Sequence, residues 1–375
     1  MLRIVLTGGP CSGKSSALSS LTETLEERGY RVFTVFEGSS ALSLGGIRPS
    51  ASIPLNDFQN FIMDMQLSTE KIYDGVTRYY DPDRIIIFYD RGIMDGAAYA
   101  DKEVFSELLR SRGLTVSSAM GRYDAVFHLV TAADGAEGFY QWNDPKKKEV
   151  GNNAARRESP EEARELDKRT LNAWIGHPHL RVFDNSTDFK GKLDRVVKEV
   201  FALLGEPEPS EIERKFLIKM PSREQLSALG CISRSQIIQT YLKRTENAAE
   251  RRVRQRGTRE DGFSFYYTEK TDVSEGVRIE NERKISKDEY LALLNEADTS
   301  LHQISKTRYC FVYERQYFEL DIYPFCDEYA IIELELNDIN DGIRLPPLDF
   351  IREVTDDVRY RNSSLARTLS LENNC

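Results

Sequence analysis

No apolar run in this 375-residue chain approaches the ~20 residues that a membrane-spanning helix needs. The first apolar strand begins at Leu2, so no room is left for a signal peptide or a transit peptide. Cysteine is scarce and scattered. Cys11, Cys231, Cys310, Cys326 and Cys375 are odd in number and show no C-x-x-C spacing, which speaks against a disulfide framework or a zinc site and fits reduced thiols. The expected compartment is cytoplasmic. Positive charge is in deficit, with 51 Lys and Arg against 61 Asp and Glu and a net charge of −10, which argues against nucleic acid as a partner. Tandem repeats and low-complexity tracts are missing as well. Of the four histidines, His177 and His179 stand close together in "GHPHL". A Pro-containing turn before a strand suits structural histidines better than metal ligands.

What remains is a chain with 40% hydrophobic residues and enough length for about two domains, each able to bury a core. The first half alternates the apolar stretches "LRIVLTG", "RVFTVFE", "RIIIFYD", "DAVFHLV" and "LRVFDN" with helical patterns at 15–28, 57–79, 161–174 and 189–204. This rhythm predicts an α/β domain over 1–205, a parallel sheet with helices on both faces. "GEPEPS" continues neither a helix nor a central strand, and 206–209 is read as the linker. From 210 to 375 the pattern changes to eight short strands in antiparallel succession: "IERKFLI", "QIIQTYLK", "ERRVRQR", "SFYYTEKT", "GVRIENERKI", "QISKTRYCFVY", "YFELDIYP" and "YAIIELEL". Helices are expected at 222–229 and 287–296. Eight strands in so short a segment predict an α+β domain built on a closed or nearly closed eight-stranded barrel.

After the first strand, "GGPCSGKSS" satisfies G-x-x-x-x-G-K-[ST] with Gly8, Gly13, Lys14 and Ser15. Glycines let backbone N–H groups wrap phosphate oxygens, Lys14 reaches the β- and γ-phosphates, and Ser15 can ligate Mg²⁺. Gly9, Cys11, Ser12 and Ser16 complete the predicted nucleotide-binding set. "IIIFYDRG" places Asp90 at the carboxyl edge of the sheet, where an acid organises magnesium. Arg91 follows it where a mechanical ATPase would carry a second acid, and Asp-Arg here resembles small-molecule kinases of the thymidylate and nucleoside kinase type. Glu37, ending the second strand, suits the proton acceptor of such a kinase or a simple helix cap. "NDPKKKEVGNNAARRESPEEAREL" reads as a lid from which Arg156 and Arg157 could close over phosphates, while Lys146–Lys148 reads as a solvated run. There is no N-K-x-D guanine motif, so ATP and GTP both remain open, with Asn185 of "DNSTDF" a residue that could touch the base.

Taken together, "LTGGPCSGKSSAL", "HLVTAADGAEGFY", "NNAARRES", "AWIGHPHL" and "DNSTDF" resemble the AAA-like P-loop domain of nicotinamide riboside kinase regulators and of the TRPL translocation defect 14 type. The resemblance covers about 1–205 and implies nucleotide binding more firmly than a kinase reaction.

The second half repeats charges at period two along successive strands. Glu211, Glu213, Glu280, Glu282, Glu319, Asp321, Glu333 and Glu335 stand against Lys215, Arg252, Arg254, Lys270, Arg278, Lys306 and Arg308, with apolar residues between them. On any single strand the ordinary assignment turns charges toward water. Across eight strands, same-sign clusters facing one another suit an inward, wet and mutually compensated surface for a metal-bound polyphosphate. The order of elements resembles the triphosphate tunnel metalloenzyme or CYTH family, named for adenylyl cyclase and thiamine triphosphatase. E-x-E-x-K stands here as Glu211, Glu213 and Lys215, followed by Arg252-x-Arg254, Lys270, Lys306-x-Arg308, Asp321, Glu333-x-Glu335 and "YRNSSLA". The resemblance implies Mg²⁺ or Mn²⁺ on Glu211, Glu213 and Glu335, helped by Glu333. It implies phosphate held by Lys215, Arg252, Arg254, Lys270 and Arg308, with Arg278 and Lys306 in the same basic set. Arg361 or Arg359 would be the C-terminal basic residue that closes the tunnel. Candidate catalytic residues are therefore Lys14, Glu37, Asp90 and Arg91 in the first domain and Lys215 and Lys270 in the second. The expected activity is metal-dependent hydrolysis of triphosphate or a nucleoside triphosphate. A non-enzymatic sensor of a phosphorylated ligand such as a phosphoinositide headgroup, and a small-molecule kinase, are the alternatives.

Overall fold

The computed structural model describes residues 1–140, 158–205, 212–245, 250–274, 277–336 and 342–371, with 212 and 271–281 described through their backbone. They fall into two compact units, Met1–Val200 and Phe201–Cys375.

In the first unit the chain runs β1 (Leu2–Thr7), α1 (Lys14–Glu27), β2 (Arg31–Val35), α2 (Gly38–Leu44), α3 (Leu55–Thr77) and β3 (Ile85–Asp90). It continues through α4 (Lys102–Arg110), α5 (Val116–Met120), β4 (Ala125–Leu129), α6 (Pro160–Trp174), β5 (Leu180–Phe183) and α7 (Phe189–Leu203). All neighbouring strands are parallel, in the order β2-β3-β1-β4-β5. Strand β3, apolar up to Asp90, and strand β4, apolar except for His128, are buried along almost their whole length, as a sheet covered on both faces requires. Leu6 pairs with Asp90, so the end of β3 lies beside the loop that leaves β1. Ser159 starts α6 with a reciprocal capping box to Glu162 and Pro160 at the first turn. Trp174 anchors its other end, buried edge-on to Tyr123.

The second unit comprises β6 (Ile212–Lys219), α8 (Arg223–Ala228), β7 (Ile232–Leu242), β8 (Glu250–Thr258), β9 (Gly262–Ser274), β10 (Val277–Ile285) and α9 (Lys287–Leu293). After these come β11 (Ile304–Tyr313), β12 (Gln316–Ile322), β13 (Tyr329–Leu336), β14 (Phe350–Glu353) and α10 (Asn362–Thr368). One antiparallel sheet of nine strands results, ordered β10-β9-β8-β7-β11-β12-β13-β6-β14. Of the expected closed or nearly closed eight-stranded barrel, the antiparallel sheet is present, with nine strands, and no closed barrel is found among the described residues. The short strand β14 takes the free side of β6, and among the described residues no pairing joins β14 to β10. One face packs Phe216, Ile218, Phe318, Leu320, Ile332 and Leu334 into a core. The alternate positions carry the charges. Cys11, Cys231 and Cys310 form no disulfide, but Cys326 is disulfide-bonded, against the expectation of reduced thiols throughout.

Candidate phosphate-binding sites

The loop between β1 and α1 depends on two glycines at positive φ. A Cβ on Gly8 would lie 2.1 Å from the Leu129 carbonyl oxygen, and one on Gly13 would lie 2.4 Å from the Phe189 ring. The loop carbonyls are tied off on its outer side. Pro10 O accepts from the Thr131 hydroxyl, Cys11 O from Ala132 N–H at 3.1 Å, and Ser12 O from Lys192 Nζ at 3.3 Å. Lys14 Nζ lies 3.5 Å from Gly8 O, and Ser15 and Ser16 are exposed in the first turn of α1.

Facing the loop, Arg91 sits in the left-handed region at φ 72°, a conformation that stores backbone strain. Its Nε donates to Glu37 at 2.7 Å and one terminal nitrogen to Asp95 at 3.2 Å. Glu37 occupies the N-cap position of α2 without capping it through its side chain, which instead takes Arg91 and the Ser40 hydroxyl at 2.7 Å. Those contacts hold the Glu37 carboxyl below its usual range despite burial. Burial, with Arg91 nearby, pulls the Lys14 ammonium down to about 8, and burial raises Asp90 although Lys14 opposes it. Asp90 Oδ1 and Ser12 Oγ are buried without a hydrogen-bond partner. An unpartnered carboxylate oxygen opposite a phosphate loop fits a hard divalent cation.

In the second unit, strand register brings the period-two charges together. Glu335 lies opposite Glu213, Glu333 opposite Lys215, Glu319 opposite Glu333, and Arg308 opposite Asp321. Lys215 Nζ bridges Glu213 at 2.9 Å and Glu333 at 2.8 Å. Arg308 donates to Glu333 at 2.9 Å and twice to Asp321 at 2.6 Å, and also contacts Glu319. Lys306 binds Asp321, which is wholly buried. Burial and the Glu333 carboxylate push Glu213 up to about 7, against the pull of Lys215. Glu333 itself is held well below its usual range, because Lys215, Arg308 and Lys306 outweigh its burial. Lys215 is raised by the same two carboxylates against its burial.

Residues 3–192 match the protein family described as an AAA domain. The chain belongs to that family. It is also 31% identical over 163 residues to an inorganic triphosphatase of Nitrosomonas europaea, an alignment covering 43% of this chain and 99% of that protein. Two solved structures, one of an inorganic triphosphatase and one described as a hypothetical protein, are each 28% identical with a TM-score of 0.32. They cover 42% of this chain and 95% and 99% of their own.

Within the AAA unit the structure gathers Gly8, Gly9, Cys11, Ser12, Gly13, Lys14, Ser15 and Ser16 at the loop, with Glu37, Asp90 and Arg91 facing Lys14. Arg156 and the lid stretch 141–157 lie outside the described residues. Asn185 donates to the Thr131 and Asp134 carbonyls and accepts from Lys192, so its amide is committed to supporting the loop. His177 contacts the Tyr123 carbonyl and His179 contacts Glu199, both structural settings.

In the second unit Glu211 and the Arg278 side chain lie outside the described residues. Glu213, Glu335, Glu333 and Lys215 form one cluster with Arg308 and Lys306, whose donors go to carboxylates. Arg252 and Arg254 lie on β8, where Arg254 meets Glu282 at 3.4 Å. Lys270 on β9 is registered against Glu250 and Glu280. Arg361 is an exposed N-cap residue of α10. Among the described residues no group of three or more metal-type side chains is gathered, and the carboxylates of Glu213 and Glu335 are placed opposite each other in register.

Sequence reasoning passed over Asp167, Lys192 and Asp95. Asp95 accepts from Gly92 N–H, Trp174 Nε1 and the Thr7 hydroxyl and anchors Arg91. Asp167 and Lys192 carried a usable signal, because each interrupts a buried helical stripe: Ala163, Asp167, Thr170 and Trp174 on α6, and Lys192, Val196 and Val200 on α7.

Proposed function

We propose that this AAA protein binds ATP or GTP in its first unit and that its second unit hydrolyses triphosphate or a nucleoside triphosphate with Mg²⁺ or Mn²⁺. One observation carries the second half: on a single sheet face, Glu213 pairs in register with Glu335 beside Lys215, while Arg252, Arg254 and Lys270 stand on β8 and β9. The similarity to an inorganic triphosphatase, covered over 99% of its length, supports the same assignment. A bound divalent cation would neutralise phosphate oxygens between the carboxylates. Lys215 and the β8 arginines would hold the phosphate chain and the charge that gathers on the leaving oxygen. Water forms the new P–O bond as the bridging P–O bond breaks, its electrons passing to the departing phosphate. The test is phosphate release from tripolyphosphate, ATP and GTP with Mg²⁺ or Mn²⁺. The assignment stands if the unmodified chain releases phosphate and Glu211→Ala/Glu213→Ala abolishes release. It falls if the two behave alike.

The contact of Arg91 with Glu37, close to Lys14 and Asp90, favours a second activity in the AAA unit, phosphoryl transfer to a hydroxyl with Glu37 as proton acceptor. Loss of transfer in Glu37→Gln with triphosphate hydrolysis intact is the expected result. Wild-type transfer in that variant would remove Glu37 from the role.

A further inference from the structure

Asp167 is 6% exposed and stands in the buried stripe of α6. A charge in that setting is costly unless it is fully hydrogen-bonded. Its bonds all go to one place. Oδ1 accepts from Gly9 N–H at 2.6 Å and from Thr131 N–H at 3.1 Å, and Oδ2 lies 3.2 Å from Nε2 of the buried His128. These contacts hold its carboxyl below the usual range despite burial. Gly9 fits against it so closely that a Cβ there would come within 2.8 Å of Asp167 Cβ. Through Thr131 the same carboxylate steadies the residue whose hydroxyl holds Pro10 O.

We propose that Asp167 is a positioning residue for nucleotide: by fixing Gly9 and Thr131 it sets the phosphate loop in its ligand-ready shape before the ligand arrives. The proposal rests on nucleotide binding by the AAA unit. The charge of Asp167 works against its task, since a carboxylate one hydrogen bond from a phosphate loop repels the anion that the loop must take. Geometry and charge therefore predict opposite outcomes for two substitutions. Asp167→Asn keeps an oxygen that can accept from both amides and removes the repulsion. Asp167→Ala removes the acceptor.

The experiment is equilibrium binding of fluorescent ATP and GTP analogues with Mg²⁺ to the full chain, with thermal melts of each variant alongside. Loss of an acceptor for backbone N–H groups predicts about ten- to a hundredfold weaker binding by Asp167→Ala, with Asp167→Asn as tight as the unmodified chain or tighter. If Asp167→Ala does not fold, Asp167→Glu replaces it, keeping the charge while displacing the oxygen by one methylene, and weaker binding is again expected. Rescue by Asn is what a merely structural acid would not show. Wild-type affinity in Asp167→Ala or Asp167→Glu, or an equal loss in Asp167→Asn, overturns the positioning role alone. Absence of nucleotide binding by the unmodified chain overturns the nucleotide reading with it.

Discussion

Glu199 on α7 lies 2.9 Å from His179 Nε2 and 3.1 Å from Arg181 Nε. Although burial opposes ionisation, these partners bring its carboxyl down to about 2 from 4.5. A depressed folded-state value means stability that is present above pH 4.5 and is lost as the pH falls toward 2. The shift corresponds to at most ~3 kcal/mol. Glu199→Gln is expected to lower stability at pH 7 by about 1 to 3 kcal/mol and to flatten the acid limb below pH 4.5. Denaturant titrations at several pH values check this. At the same scale, Lys14→Ala should abolish nucleotide binding by the first unit while leaving the melting behaviour of the second unit unchanged, readable by calorimetry with and without ATP. The phosphate loop was legible because its donors, lysine and hydroxyls are contiguous in the chain. For the partners that shape it, Asp167 and Lys192, only the polar break in a buried stripe was legible; that they meet the loop, 158 and 180 residues away in sequence, was not.

Strands β11, β12, β13 and β6 share one charged face, and Arg308 is its keystone. Its guanidinium meets Glu319, Asp321 and Glu333, two of which, Glu319 and Glu333, are directly opposed across the β12–β13 pair. Arg308→Met would leave three buried or half-buried acids short of a cation, and a loss of about 3 to 5 kcal/mol is expected for the second unit. Chemical denaturation followed through that unit's transition measures it. If Arg308 gripped substrate alone, stability would hold and only turnover would fall. The strands themselves could be read from period-two alternation, since a sheet with one apolar and one charged face writes that pattern directly. β14 escaped because four residues give too few alternations. α2 escaped because none of its seven residues is buried, so "GSSALSL" carries no amphipathic signature. The closed or nearly closed barrel was inferred from strand number, and strand number does not fix where the last short strand pairs.

Two units with separate sheets and cores should respond separately to their ligands. Saturation at 100 times Kd stabilises a binding unit by about 2.7 kcal/mol. Mg²⁺ with ATP should therefore raise the first transition, and tripolyphosphate the second alone, in differential scanning calorimetry of the full chain. A single transition moving with both ligands would show instead that the units melt as one. The order of synthesis adds a consequence of where β6 lies in its sheet. It is the first strand of its unit to leave the ribosome, yet both its neighbours, β13 and β14, are among the last, with Ile212 paired to Leu336 and Phe216 to Glu353. Pairing across so long a span is slow and cannot begin before nearly the whole unit is made. The AAA unit can complete its sheet while β6 still waits on the growing chain, exposing "FLI" in the interval, so this strand is where chaperone dependence and misassembly during translation are expected to concentrate.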